Sequence, residues 1–245
     1  MISAIHIIHY TKLSERKKHM LSEIKKWNLD NVPIEFEEQY DQEVISDYDI
    51  FNSIDVELFK SNTGREPLKG ELSLCLKYKN ILKKVSCMKD EEYVLILEDD
   101  VIFKEDPLLY IQDIIKKCEN EDVSFDCVFM GEAAMRRDDD RNIFIKRPSE
   151  YWPSAPHTAP VELLKNATMT NGLCTVLYKV SSVKRVYNYL NNFKIESAMD
   201  WHMNSVFRNL KFDVYWAKAI TKHGSVLAAD DITKNSLRSS LRGSY

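Results

Sequence analysis

Glycine is scarce, with six in 245 residues, and neither a GxGxxG fingerprint nor a P-loop occurs. The glycine-rich routes to a bound phosphate are therefore excluded. The five cysteines (Cys75, Cys87, Cys118, Cys127, Cys174) are odd in number and form no CxxC pair. A zinc site or a disulfide framework is unsupported, and buried free thiols in a reducing compartment are expected. No window approaches the roughly 18 apolar residues of a membrane span. The start, Met1 to Ile8, lacks the basic flank and long apolar stretch of a signal peptide. Positive charge is not in excess either: 34 Lys and Arg against 38 Asp and Glu give −4, so nucleic-acid binding is not expected. These absences describe a cytoplasmic chain without an integral membrane segment, with peripheral contact to a membrane left open.

What is present is aromatic and apolar. A hydrophobic fraction of 44% with 12 Tyr, 10 Phe and 4 Trp can fill the core of one α/β domain across 1–245. The rest is organised around Tyr93-Val94-Leu95-Ile96-Leu97-Glu98-Asp99-Asp100-Val101-Ile102-Phe103. A short continuous apolar run suits a strand buried on both faces. Three carboxylates at its end repel one another unless something cationic sits among them. Ligands of open α/β sheets bind where such strands end. If the strand geometry persists, Glu98 and Asp100 share one face and Asp99 points to the other. A divalent ion with a phosphate-bearing substrate accounts for such acids; the plain alternative is a solvated acidic turn.

Along the chain, Ala4 to Tyr10 reads as a first strand, Ser14 opens a polar helix carrying Met20, Leu21 and Ile24, and Pro33 to Phe36 resumes extended structure toward Asp41. This β-α-β opening places a nucleotide over the first strand's carboxyl end, near His9, Tyr10, Arg16 and Asp41. A short helix is expected over Asp49 to Lys60, and a longer one over Glu71 to Val85 with Leu72, Cys75, Leu76, Ile81 and Leu82 on its apolar face. Pro107 starts another helix. Phe125 to Gly131 reads as a strand. The segment from about 132 to 166 is irregular, with Tyr151 and Trp152 among four prolines, and suggests a lid. Its Asp138–Asp140 run reads as a solvated turn rather than a second metal site. Met169 to Tyr178 reads as a strand, Ser181 to Leu190 and Ser197 to Leu210 as helices, and Phe212 to Ala217 as a last strand before a polar, basic tail from Thr221.

The ordered motifs resemble glycosyltransferase family 25, which includes lipooligosaccharide and collagen β-galactosyltransferases. Leu95-Ile96-Leu97-Glu98-Asp99-Asp100-Val101 looks like the family's Leu-Glu-Asp-Asp-Val core, its version of the DxD motif. Ile5 to Arg16 resembles its opening strand and arginine-bearing loop, and Leu68 to Ser73 its glycine-glutamate block. Gly172 to Tyr178 and Met199-Asp200-Trp201 resemble its late strand and its aspartate-tryptophan element. One departure stands out: Lys77 and Tyr78 occupy the positions where the family commonly has a Ser-His pair.

The resemblance implies a GT-A-like (Rossmann-like) nucleotide-sugar-binding fold with a mostly parallel central sheet. It also implies an inverting hexose transfer from a UDP-sugar, with Mn²⁺ or Mg²⁺, to a glycan or glycoconjugate acceptor. In that scheme Asp100 and His223 are metal ligands, Glu98 and Asp99 lie on the donor side with His9, Tyr10, Arg16 and Asp41, and Lys222 or Arg238 meets phosphate. Inversion needs a base, and Asp200 beside the sugar-stacking surface of Trp201 is the candidate. A catalytically degenerate nucleotide-sugar-binding or partner-binding domain is the rival. An aspartyl phosphotransferase is disfavoured, because Glu98 stands where its nucleophilic Asp belongs.

Overall fold

A computed structural model describes residues 2–132, 135–136, 161–166, 169–170 and 172–223. The apolar run Ile2–Ile8 forms β1, followed by helix α1 (Ser14–Lys26) and strand β2 (Ile34–Glu37). The expected single helix over Asp49 to Lys60 is two, α2 (Asp47–Ser53) and α3 (Val56–Thr63). The chain is extended at Ile54, which bridges to Ile195, and Asp55 restarts the helix by accepting from the Leu58 N–H at 3.0 Å. Helix α4 (Lys69–Val85) then leads into β3 (Tyr93–Glu98) and β4 (Val101–Phe103). Asp106 caps α5 (Pro107–Asn120) by accepting from the N–H groups of Leu108 and Leu109, with Pro107 in the first turn. There follow β5 (Cys127–Gly131), β6 (Met135–Arg136), β7 (Leu163–Asn166), β8 (Met169–Thr170), β9 (Thr175–Lys179), α6 (Val180–Asn192), α7 (Met199–Asn209) and β10 (Val214–His223). The last strand runs on through Thr221 to His223, beyond the Ala217 limit expected from its apolar residues.

The main sheet has the order β2-β1-β3-β9-β5-β10-β4, with β7 also on β10. Here the mostly parallel expectation is corrected: the sheet is mixed. Strands β2, β1 and β3 are parallel neighbours, as are β5 and β10. Strand β9 runs antiparallel between β3 and β5, and β4 and β7 run antiparallel to β10. Apolar runs do not reveal direction, because a strand buried on both faces reads the same either way.

Crossovers from β1 out to β2 and back to β3 travel in opposite directions. Right-handed connections therefore put α1 and α4 on opposite faces. Helix α4 packs with α6 and α7 over the sheet. The core between these layers includes Ile5, Ile7, Val94 to Leu97, Val128 to Met130, Val176 and Leu177. Four cysteines are buried, Cys87 is exposed, and all five are free. Among the described residues no helix is long and apolar enough to cross a membrane.

Candidate active site

Because β9 is antiparallel to both β3 and β5, strands β2, β1, β3, β5 and β10 all point the same way. Their carboxyl ends emerge on one edge of the sheet. Register brings Ile8 opposite both Glu37 and Glu98, so the residues that follow the three strands meet there. A cleft at this edge is lined by Ile8, His9, Tyr10, Leu13 and Arg16, by Gln42, by Gly70, Ser73, Leu74 and Lys77 of α4, and by Glu98 and Asp99.

The strand ends at Glu98, and Asp99 and Asp100 form a turn before β4. The alternation expected for a continuing strand is lost, and the two acids that line the cleft are Glu98 and Asp99, not Glu98 and Asp100. Asp99 is buried with both oxygens engaged. One accepts from Arg16 Nη1 at 2.7 Å, and the other lies 2.7 Å from His9 Nδ1 and 3.5 Å from the Tyr10 N–H. A carboxylate only accepts, so His9 Nδ1 carries the proton. Arg16 Nη2 also lies 3.4 Å from Asp100, which is 1% exposed. A cation among the three acids is thus supplied from within the chain. Glu98 is fixed at its backbone, its N–H donating to the Cys174 carbonyl at 3.1 Å.

Asp41, beyond β2, is also committed. One oxygen accepts from Lys77 Nζ at 2.7 Å; the other accepts from the Thr11 hydroxyl and from the Thr11 N–H at 3.2 Å. Tyr10 shares Glu43 with Lys12 and accepts from Gln42 at 3.0 Å, so the loops after β1 and β2 are stitched together. The departing pair of the family block divides its roles. Lys77 is a buried cation in the cleft wall, whereas Tyr78 turns into the core and shares a 2.9 Å hydrogen bond with Tyr178.

Outside this lining, Asp200 sits in the first turn of α7 and is part-buried, beside a Trp201 that is 47% exposed. Burial raises the Asp200 carboxyl to about 6; the Trp201 N–H, donating at 2.9 Å, opposes the rise, while the charges of Glu98 and Glu71 reinforce it. Glu71 is itself held by two bonds from Arg65, at 2.8 and 2.6 Å. On the next positions of the helix His202 is buried and neutral, pushed down to about 4 by burial, its Nδ1 accepting from the Glu196 N–H at 3.3 Å.

Of the other expected residues, His223 ends β10 and pairs with Val101, one position after Asp100. The His223 side chain lies outside the described residues, as do Arg238, Tyr151, Trp152 and Asp138–Asp140. Lys222 is exposed on β10.

Among the described residues no group of three or more His, Cys, Asp or Glu side chains forms a self-contained metal site. An ion of the Mn²⁺ or Mg²⁺ kind at an enzyme site takes one or two carboxylates and completes its shell with substrate phosphate and water. The hard oxygens of Glu98, in the cleft lining, fit that use, and Asp100 lies two residues on, buried beside Arg16 and outside that lining. Asp99, bonded through both oxygens, does not fit it.

The cleft lies at the carboxyl ends of the parallel strands, where open α/β sheets bind their ligands. The chain belongs to glycosyltransferase family 25: the family's model, described as "Glycosyltransferase family 25 (LPS biosynthesis protein)", matches residues 2–201. It is a glycosyltransferase. No curated protein matches the chain. A solved structure, that of A197 from STIV, is similar at 12% identity and a TM-score of 0.42, over 90% of this chain and 83% of that one. That likeness is too distant to inform the site.

Sequence reasoning missed Lys77 as a wall of the cleft, together with Gly70, Ser73 and Leu74. The signal was there: these four recur at i, i+3, i+4 and i+7 on α4, a second stripe beside the apolar one. It also missed that Arg16 serves Asp99 and Asp100 at once.

Proposed function

We propose that this glycosyltransferase moves a hexose, galactose or glucose, from a UDP-sugar to a saccharide or glycan acceptor with inversion, on a GT-A-type scaffold. The observation that carries the reading is Asp200: a part-buried carboxylate raised to about 6, without a paired cation among the described residues, and close enough to feel the charge of Glu98 in the cleft lining. A general base works best with a pKa near the working pH. Asp200 would take the proton of the acceptor hydroxyl as that oxygen attacks the anomeric carbon.

On the donor side the His9–Arg16 loop, organised by Asp99, would receive the nucleotide. Glu98 and Asp100, with His223 as a further candidate, would hold a Mn²⁺ or Mg²⁺ ion. When bound, such an ion neutralises charge on the departing diphosphate. Trp201 would offer a stacking face to the acceptor sugar.

The test is UDP release with Mn²⁺ and a panel of UDP-sugars, with and without glycan acceptors. Release that needs the metal, and that is lost in both Asp100→Ala and Asp200→Asn, supports the reading. Binding of UDP-sugars with no release under any of these conditions overturns it.

A further inference from the structure

Lys77 is the second cation of the cleft, and its surroundings differ from those of Arg16. Its side chain is 3% exposed, yet it lines the open cleft opposite His9 and Tyr10. An ammonium has three N–H donors. One donates to Asp41 Oδ1 at 2.7 Å and a second reaches the Glu37 carbonyl at a long 3.4 Å. The third has no acceptor among the described residues. A buried, incompletely bonded ammonium is costly unless an additional acceptor arrives. The ligand of this cleft is the available source of one.

We infer that Lys77 is a specificity-determining residue whose ammonium binds the anionic oxygens of the ligand, a diphosphate, with Asp41 as its tether. This rests on the donor reading given above and deepens it. It also reverses the expected role of Asp41. That carboxylate sits where acids of α/β sheets meet a ribose hydroxyl, but here both its oxygens are spent on Lys77 and Thr11. Asp41 holds the cation in place and competes with the ligand for it.

The two roles predict opposite signs. Affinities for inorganic pyrophosphate and for UDP, at fixed Mg²⁺, are measured by calorimetry on the full chain. Either single change strands one buried charge, Lys77→Met that of Asp41 and Asp41→Asn that of Lys77, so Asp41→Asn is read only with native-like circular dichroism, beside the double change Lys77→Met/Asp41→Asn, which removes both charges together. Asp41→Asn frees the ammonium and leaves pyrophosphate binding as tight as in the native chain or tighter. The double variant keeps its melting temperature but loses about ten- to hundredfold in affinity for both ligands, the worth of a hydrogen bond to a charged group. Equal affinity in the native chain and the folded double variant overturns the inference, and so does weaker binding in Asp41→Asn alone. Should pyrophosphate binding depend on Lys77 while UDP binds no tighter than pyrophosphate, the inference stands and the uridine donor reading falls.

Discussion

The cleft's β1 side and the start of α7 use carboxylates in opposite ways. On the β1 wall Asp99 and Asp41 are buried and bonded through both oxygens, to His9 and Arg16 in one case and to Thr11 and Lys77 in the other. At the start of α7 Asp200 is part-buried, accepts backbone N–H groups without a paired cation among the described residues, and has its pKa raised to about 6 by burial. A paired carboxylate is fixed in charge and position, and so it orients its surroundings. An unpaired one, kept from full solvation, can exchange a proton at little cost. Two environments thus divide one residue type into positioning groups and the proposed base.

Breaking the paired wall has the largest expected effect. Arg16→Met removes the guanidinium shared by Asp99 and Asp100 and leaves buried charge uncompensated, at a cost of about 3–5 kcal/mol. Urea denaturation followed by circular dichroism reads this as a large drop in midpoint. A small shift would show that the network is solvated and would dissolve the contrast.

The start of α7 gives the opposite result. Asp200→Asn should cut turnover by about 10²- to 10⁴-fold, the range for a lost general base, while the protein gains stability. The sign follows from the raised pKa. Folding disfavours ionised Asp200, so its cost is absent below the ordinary carboxyl value of 3.8, grows as pH rises toward about 6, and is full above it. Asn therefore stabilises by about 1–2 kcal/mol at pH 8 and by nothing near pH 3. In the native chain the acid limb of the rate profile falls near 6 instead of 4. A variant less stable than the native chain at pH 8 would place Asp200 in the paired class.

How far this contrast could be read from the sequence depends on the kind of fact. The acids at the end of Tyr93–Glu98 and the Asp200-Trp201 pair are local and were legible as residues, whereas the arginine expected in the loop, Arg16, sits in the first turn of α1. So were most helices, because caps such as Asp106 with Pro107 and stripes such as Leu72-Cys75-Leu76 are short-range signals. Pairing across the sheet was not. Nothing in Thr175-Val176-Leu177 declares that it inserts antiparallel beside β3. The parity of Glu98 and Asp100 failed because the strand gives way to a turn at Asp99, and strand ends are decided by tertiary contacts. That Asp41 meets Lys77 rather than a ligand needed the register of β1 and β2, and a partner 36 residues away.

A third, intermediate effect sits beneath the cleft. A Cβ on Gly131 would lie 2.2 Å from Sγ of Cys174, the residue just before β9 whose carbonyl holds the Glu98 backbone. Gly131→Ala should cost about 1–3 kcal/mol by overpacking. The double variant Gly131→Ala/Cys174→Ala should recover most of that, because removing the thiol opens the space. Recovery of thermal stability together with UDP affinity would show that the floor acts on the walls only through packing.

The smallest effect lies on the outside of the paired wall, where Lys12 and Glu43 join the same two loops in solvent at 2.8 Å. Exposed pairs of this kind give little, because water screens the charges and two long side chains must be ordered. Glu43→Gln should leave the urea midpoint unchanged within error and be equally silent at low and high salt. Arg16→Met and Glu43→Gln then mark the two ends of one scale: charge pairing governs this cleft only where water is excluded. A midpoint that falls in Glu43→Gln and is insensitive to salt would mean that the Tyr10–Glu43–Lys12 cluster closes over the loop, and the paired wall would have to be redrawn to include it.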